Sequence, residues 1–157
     1  MKIYLIAAKA KNGVIGNGPN IPWSVRGEQL IFKAFTQSQW ILVGRKTFES
    51  MGVLENRKYA VVSRSTNQPD TENVRFFSSI GVALEEMRKF TDVLFIAGGG
   101  EIYTQTIKIA DALHISTIDI DAVGEVFFPE IPPCFTKVYD QEFSSNIDYT
   151  YSLFKKC

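Results

Sequence analysis

The chain has 157 residues, of which 45% are hydrophobic and 22% are charged, as in an ordinary globular protein. A chain of this length can bury roughly two-thirds of its unfolded surface in one core, so we expect a single domain over residues 1–157. Seventeen Lys and Arg balance seventeen Asp and Glu without a run of like charge, which disfavours nucleic acids and membrane surfaces as partners.

Short apolar runs alternate with helical patterns along the chain. The runs that predict strands are, in order, IYLIAA, WILVG, YAVVS, VRFF, VLFIAGGG and LHISTIDI. Between them, VRGEQLIFKAF, RKTFESM, SIGVALEEMRKF and EIYTQTIKIA predict helices. Strands that are apolar nearly throughout and alternate with helices indicate a mostly parallel sheet covered on both faces. The tail, with TKVYDQEF and YTYSLF on either side of SSNID, predicts an antiparallel hairpin at one edge of this α/β sandwich.

The segment NIPWSVRGEQLIFKAF places one carboxylate on the apolar side of a predicted helix. Ile31, Phe32 and Phe35 follow Glu28 at the i+3, i+4 and i+7 positions of a single helix face. A glutamate in the first turn is ordinarily explained by the helix dipole alone. Because Trp23 and these apolar side chains surround it, we expect Glu28 to be partly buried. Burial would raise the pKa of its carboxyl and suit it to handling a proton or binding a cation.

Two strand ends carry basic residues suited to phosphate. Gly44 ends a predicted strand, and the helix after it opens with Arg45, Lys46 and Thr47. Free N–H groups, two cations and a hydroxyl would favour an anion there, unless both cations simply point into solvent. At another strand end, Ser63 and Arg64 could hold the 2′-phosphate that separates NADP from NAD, although an Arg after a strand is usually only surface.

Glycines 98–100 follow a buried strand and open a helix. They let the backbone approach a ligand closely. The triplet is neither a G-x-G-x-x-G fingerprint nor a P-loop, and a tight turn alone would need one glycine. Since ligands of such sheets bind at the carboxyl ends of the strands, the three strand ends together suggest a dinucleotide laid across the sheet.

The cysteines and apolar segments predict a cytoplasmic protein. Cys134 and Cys157 form no motif, which suits a reducing compartment. The apolar run 3–8 has six residues, below the ~7–15 of a secretory signal core, and no stretch approaches the ~20 of a membrane span. His114 lies in a predicted strand and is expected to be structural; the sequence offers no Ser-His-Asp set and no metal-ligand cluster.

The motifs GVIGNGPNIPW, GEQLIFK, VGRKTFESMG, NRKYAVVSR, IAGGGEIY and VGEVFFPEI stand in the order and spacing of dihydrofolate reductases. The chain resembles that family from Ile3 to Phe154. The resemblance implies a three-layer α/β sandwich with a mostly parallel eight-stranded sheet, a C-terminal antiparallel hairpin and four flanking helices. It also implies NADPH as cofactor, 7,8-dihydrofolate as substrate, binding of antifolates including the methotrexate type, and a monomer.

The same resemblance implies the catalytic roles. Glu28 matches the family's only ionisable active-site side chain, and with a water near Trp23 it would promote protonation at N5 while hydride passes to C6. Ser116 would pair with the pterin amine and Glu28, and Arg57 would clamp the α-carboxylate of the glutamate tail. The residues implied to contact the substrate are Ile6, Ala7, Phe32, Lys33, Met51, Leu54, Arg57 and Ala97.

The cofactor site is implied in the same way, with a cis bond between Gly98 and Gly99. Residues Asn12–Trp23 match a lid loop over the nicotinamide, and Gly124 and Glu125 match the loop that supports it. The residues implied to bind the cofactor are Ala8, Ile15, Gly16, Asn17, Ile21, Gly44, Arg45, Lys46, Thr47, Ser63, Arg64, Gly98, Gly99, Gly100, Glu101, Ile102, Tyr103 and Glu125.

Two positions depart from most bacterial chromosomal members, which have Asp in place of Glu28 and an apolar residue in place of Gln29. The motifs GNGPNIPWS, GEQL and GRKTFESMG are most similar to those of the transferable, plasmid- or integron-borne enzymes that resist trimethoprim. This resemblance implies weak trimethoprim binding. Two alternatives remain. A pteridine or pyrimidine reductase of the same fold would lack the set formed by Glu28, Phe32 and Arg57. A non-catalytic NADPH-binding module would not need Glu28 on an apolar face.

Overall fold

The computed structural model describes residues 1–16, 23–65 and 68–156. Its strands are β1 (Lys2–Ala10), β2 (Val14–Gly16), β3 (Trp40–Gly44), β4 (Lys58–Val62), β5 (Val74–Phe77), β6 (Val93–Ile96), β7 (Ala112–Ile118), β8 (Val126–Phe127), β9 (Phe135–Phe143) and β10 (Tyr149–Lys156). Its helices are α1 (Glu28–Thr36), α2 (Arg45–Met51), α3 (Ile80–Met87) and α4 (Gly100–Thr106), with a 3₁₀ turn at Ile107–Ile109. Within these residues, no helix is long and apolar enough to cross a membrane.

Eight strands form one sheet in the order β5-β4-β3-β6-β1-β7-β10-β9. All neighbours from β5 to β7 are parallel, whereas β10 is antiparallel to both β7 and β9. The predicted mostly parallel sheet, C-terminal hairpin and four helices are therefore confirmed. The last strand of the chain lies inside the sheet, and β9 forms the edge.

A second sheet of two short strands joins distant parts of the chain. β2 pairs with β8 in antiparallel fashion, with Val14 opposite Phe127 and Gly16 opposite Val126. The sequence analysis did not predict this pairing, because strands of three and two residues are too short to show an alternating pattern.

The two faces of the main sheet carry different helices. Alternate residues of β1 point to opposite faces, so Ile3, Leu5 and Ala7 all join the largest buried cluster, together with Ala83 and Met87 of α3. The opposite face of β3 and β4 carries a second cluster that includes Phe32 of α1 and Phe48 and Met51 of α2. The fully buried members of this second cluster are Ile41, Val43, Tyr59 and Val61.

The predicted apolar face of α1 is divided between clusters. Ile31 packs with a cluster around Val25, whereas Phe32 packs with the second cluster. Phe35 is 36% exposed and stacks on Tyr151 with a centroid distance of 5.6 Å. Only Thr36 of the helix is buried. The apolar face of α1 therefore stays partly exposed to solvent.

Candidate functional site

The end of β3 and the glycine turn after β6 lie side by side. The Gly44 N–H donates to the Gly98 carbonyl at 2.9 Å. A Cβ atom on Gly99 would lie 3.0 Å from Oγ1 of Thr47, and one on Gly98 would lie 3.6 Å from Cγ2 of the same threonine. Two of the strand ends that the sequence predicts to share one dinucleotide are thus adjacent.

Glycine is required at position 98 by its backbone conformation. Gly98 has φ +119°, which side-chain-bearing residues rarely adopt, and a Cβ there would touch the ring of Tyr103 at 3.5 Å. The expected cis bond between Gly98 and Gly99 is present. The absent side chains leave a backbone cradle beside Thr47, which fits a phosphate-rich group.

The basic residues around this cradle are exposed. Arg45 lies 3.6 Å from Glu49 in a solvent-exposed i,i+4 pair, and Lys46 is exposed beside it. Arg64 is also exposed. The hydroxyl of Ser63 donates to the carbonyl of Ser65 and accepts from its N–H, so local turn bonds occupy it.

The two-stranded sheet packs on Gly100. A Cβ on this glycine would lie 2.5 Å from Cγ1 of Val126 and 3.6 Å from Cδ1 of Ile15, so any side chain would displace the small sheet. The side chain of Asn12 bonds the carbonyl and N–H of Ala122 at 2.9 and 3.3 Å, which ties the start of the predicted lid to its predicted support.

The remaining predicted cofactor residues take varied positions. Glu125 and Glu101 are exposed, and Glu101 accepts from Gln105 at 3.2 Å. Ile102 is half-buried and lies 3.5 Å from where a Cβ on Gly44 would be. Asn17 and Ile21 lie outside the described residues.

Glu28 is half-buried at the start of α1, as predicted. Burial raises the pKa of its carboxyl. Burial, and then the charge of Glu28, raise the pKa of Tyr103 and of Tyr149, so the carboxylate lies within electrostatic reach of both phenols. The Tyr103 hydroxyl donates to the Ile6 carbonyl at 2.7 Å. The carboxyl, the middle of β1 and the first turn of α4 therefore lie close together.

The turn between β9 and β10 holds the segment before Glu28. The Asn146 side chain accepts from the Arg26 N–H and donates to the Ser24 carbonyl, both at 2.8 Å. The Ser145 hydroxyl donates to the Arg26 carbonyl at 2.9 Å. Sequence reasoning identified SSNID only as a turn; nothing local indicates a partner about 120 residues away.

The apolar residues predicted to contact the substrate come together. Phe32, Met51 and Ala97 all pack on the second buried cluster. The Leu54 N–H donates to the hydroxyl of Tyr59, a member of that cluster, at 3.0 Å. Three of the predicted apolar contacts thus share one cluster, and Leu54 is tied to it through its backbone.

Arg57 is fixed by the protein before any ligand arrives. Its Nε, Nη1 and Nη2 donate to the Thr36 hydroxyl, the Glu55 carbonyl and the Lys33 carbonyl at 3.4, 2.7 and 2.6 Å. A guanidinium has five N–H groups, so two remain for a ligand.

Ser116 lies deep in the sheet, 3% exposed, opposite Ala8 of β1. Both residues are described, and no hydrogen bond joins Ser116 to Glu28; a substrate group would have to bridge them. The methyl of Ala7 belongs to the largest core, so only its backbone can reach the cleft. Lys33 is exposed, and Trp23 is half-buried against Val25.

The fold and the site are those of an α/β enzyme that holds a phosphate-rich cofactor beside an apolar, acid-bearing substrate cleft. The dihydrofolate reductase profile matches residues 2–156. The chain is 60% identical over 156 residues to both dihydrofolate reductase type 1 and dihydrofolate reductase type 5 of Escherichia coli, covering 99% of each chain. It is 54% identical over 159 residues to dihydrofolate reductase type 6 of Proteus mirabilis, again covering 99% of both.

A solved structure supports the same assignment. Dihydrofolate reductase from Enterococcus faecalis, complexed with NADP(H) and RAB-propyl, superposes with a TM-score of 0.90 at 26% identity, covering 99% of this chain and 96% of that one. The chain belongs to the dihydrofolate reductase family. It is accordingly an NADP-dependent oxidoreductase.

Proposed function

We propose that the chain reduces 7,8-dihydrofolate to 5,6,7,8-tetrahydrofolate, with Glu28 as the group that controls protonation at N5. When bound, NADPH supplies the hydride that reaches C6. The observation that carries the assignment is the half-buried carboxyl of Glu28, whose pKa burial raises, on the helix whose Phe32 packs with Met51 and Ala97 on the second buried cluster. Such a carboxyl binds the polar edge of a pterin and, through a water near Trp23, favours the protonated and more electrophilic imine.

Apolar and cationic residues would orient the substrate from its two ends. Phe32, Met51 and Leu54 would contact the pterin and benzoyl rings and exclude water from them. Arg57 would bind the α-carboxylate of the glutamate tail with its two free N–H groups, and its three existing bonds keep it in place for that contact.

The glycine cradle would hold the cofactor's pyrophosphate. A side chain at Gly98 or Gly99 would fill the space beside Thr47, so the donor set and the free backbone both fit a dinucleotide. Arg45, Lys46 and Arg64 would supply positive charge for its phosphates.

Substituting Glu28 tests the assignment. Glu28→Gln keeps the side-chain shape but cannot ionise, so we expect kcat near neutral pH to fall about a hundred- to ten-thousandfold, while NADPH binding is retained. Glu85→Gln, an equal change at an exposed position of α3, serves as the control and should leave turnover unchanged. Turnover is followed by NADPH absorbance and binding by fluorescence. An unchanged rate in Glu28→Gln would remove the assignment; NADPH binding without turnover by the unaltered chain would favour a non-catalytic binding module.

We also propose that the enzyme resists trimethoprim. Glu28 is one methylene longer than the Asp of most chromosomal members, and Gln29 replaces an apolar residue. The first change moves the carboxyl that a diaminopyrimidine would bind, and the second puts an exposed polar side chain next to it. The inhibition constant should exceed that of a sensitive chromosomal enzyme, whereas a methotrexate-type inhibitor should still bind. An inhibition constant as low as the sensitive enzyme's would contradict the proposal.

Finally, we propose that residues 1–157 form one domain and act as a cytoplasmic monomer. One eight-stranded sheet takes strands from both ends of the chain, which supports one domain, and the free, exposed thiol of Cys134 suits a reducing compartment. Light scattering after size exclusion should give a mass near 17.7 kDa. A mass twice as large would contradict the monomer.

A further inference from the structure

Tyr149 is a buried phenol at the start of β10, and none of the roles assigned above uses its hydroxyl. The residue is 5% exposed, and its ring belongs to the cluster around Val25, on which Trp23 also packs. Tyr149 pairs with Ile118 of β7 and stacks on Phe143 with a centroid distance of 5.0 Å. The sheet and this stack therefore set the position of the hydroxyl.

The hydroxyl of Tyr149 lies against the residue that precedes Glu28. A Cβ atom on Gly27 would be 3.0 Å from Oη of Tyr149, and Gly27 has φ +87°, which side-chain-bearing residues rarely adopt. Glycine at this position therefore leaves room for the phenol beside the first turn of α1. Burial, and then the charge of Glu28, raise the pKa of Tyr149, so the phenol and the carboxyl lie within electrostatic reach of each other.

The phenol and the carboxyl lack opposite halves of a hydrogen bond. Among the described residues, no group accepts a hydrogen bond from the Tyr149 hydroxyl. Burial alone raises the pKa of the Glu28 carboxyl, so no side-chain donor compensates its charge. Shielding a donor without an acceptor from water is costly, and so is shielding a carboxylate without a donor. One water in contact with both groups would satisfy them.

The other titratable groups around Glu28 and Tyr149 are engaged elsewhere. Tyr103 of α4 already donates to a backbone carbonyl. Burial alone lowers the pKa of His114, and Arg26 is exposed. Four charged residues line a surface cavity with Tyr149 without shifting its pKa, namely Lys11, Asp119, Glu142 and Asp148. Among the described residues, Glu28 is therefore the charge that acts on the phenol.

We propose that Tyr149 is a positioning residue, whose hydroxyl holds the Glu28 carboxylate through one shared water. The inference rests on the proposed function, because that function uses a water near Trp23, and Trp23 packs on the same cluster as Tyr149. The hydroxyl donates to the water and the water donates to the carboxylate, which stabilises the ionised form. Tyr149 thus limits how strongly Glu28 and the N5 imine together retain a proton.

The test is the dependence of kcat/KM for dihydrofolate on pH, from about pH 5 to about pH 9. The reactive form carries a proton, so the rate falls as pH rises through the apparent pKa. Tyr149→Phe removes the hydroxyl and keeps the ring, so the carboxylate becomes a stronger base and the apparent pKa should rise by about 0.5–1 unit. Tyr151→Phe removes a buried hydroxyl of the same strand that contacts His114, and it should leave the apparent pKa unchanged.

A second measurement follows Glu28 without substrate or turnover. Carbon-13 NMR of labelled glutamate carboxyls, assigned with Glu28→Gln, gives the pKa of Glu28 in the ligand-free protein. This pKa should also rise in Tyr149→Phe and stay in place in Tyr151→Phe, and thermal unfolding checks that each variant is folded.

The two measurements separate the possible failures. If Tyr149→Phe lowers kcat/KM equally at every pH, or lowers the apparent pKa, the hydroxyl has no part in proton handling and the inference is wrong. An unmoved Glu28 titration overturns the inference alone. No turnover by the unaltered chain overturns the proposed function.

Discussion

Two titratable side chains near α1 are shifted in opposite directions by the same cause. Burial raises the pKa of the Glu28 carboxyl and lowers the pKa of His114 to about 4. In both residues burial removes water from the charged form and no protein group compensates for it. Because the charged form is the deprotonated one in Glu28 and the protonated one in His114, the two pKa values move in opposite directions. At Glu28 the raised pKa suits the proposed role in controlling protonation. At His114 the ring is 8% exposed, and its Nδ1 lies 2.7 Å from the Tyr151 hydroxyl, as expected for a structural histidine.

The carboxyl of Glu28 should make the ligand-free protein less stable near neutral pH. Its folded pKa lies above the ordinary value of 4.5, so its contribution to stability is complete below that value and is lost as pH rises through the folded pKa. Glu28→Gln should therefore raise the urea midpoint near neutral pH, and the gain should vanish in acid. Equal midpoints at neutral pH would show that the native carboxylate is as well solvated as the unfolded one.

His114 should change the stability in the opposite direction with pH. Its pKa is depressed from 6.5 to about 4, so stability is present above pH 6.5 and is lost as pH falls toward 4. Between pH 7 and pH 5 this residue should remove about 2 kcal/mol from the free energy of unfolding. His114→Gln, whose amide oxygen can accept from Tyr151, should unfold with less dependence on pH over that range. Urea titrations at pH 7 and pH 5 give the free energy of unfolding of each protein. An equal loss of this free energy between the two pH values in both proteins would contradict the prediction.

At the scale of elements, the two-stranded sheet depends on a glycine in another element. Gly100→Ala places a methyl 2.5 Å from Val126, so the small sheet or α4 must move. We expect a loss of about 1–3 kcal/mol in stability together with weaker NADPH binding. Gly81→Ala in α3, where nothing lies within 4 Å of the new atom, should be neutral or stabilising by up to about 1 kcal/mol.

A second substitution identifies the cause of the Gly100→Ala effect. If contact with Val126 is responsible, Val126→Ala should restore part of the stability and of the NADPH affinity in the double variant. Strictly additive losses would point to the backbone of α4 instead.

At the scale of the whole molecule, the C-terminal strand completes the sheet from the inside. β10 pairs with β7 on one side and β9 on the other, and it contributes the buried residues Tyr149, Tyr151 and Ser152. Removing residues 149–157 should therefore abolish cooperative unfolding, because β7 loses a partner and β9 is detached. Removing Cys157 alone should have no such effect. Circular dichroism melts of both shortened proteins test this, and a cooperative melt of the longer truncation would contradict it.

Much of the fold and part of the site follow from local patterns. WILVG and VRFF predicted β3 and β5 to the residue, because both are short runs rich in β-branched and aromatic residues that alternate with helical segments. The half-burial of Glu28 followed from helix periodicity. Sequence patterns did not predict the β2–β8 pair or the bonds of Asn146 to Ser24 and Arg26. Each joins segments more than a hundred residues apart, and neither segment has a local pattern that indicates its partner.

The sequence by itself determined the alternation of strands and helices, the apolar face that carries Glu28 and the glycines at the strand ends. These depend on neighbours within a few residues, and backbone sterics and side-chain periodicity act at that range. Only the tertiary structure decided that Gly98 lies against Thr47 and that Arg57 is held by the α1 carbonyl of Lys33. The physical reason is that strand order brings distant residues together, and no local interaction encodes that order.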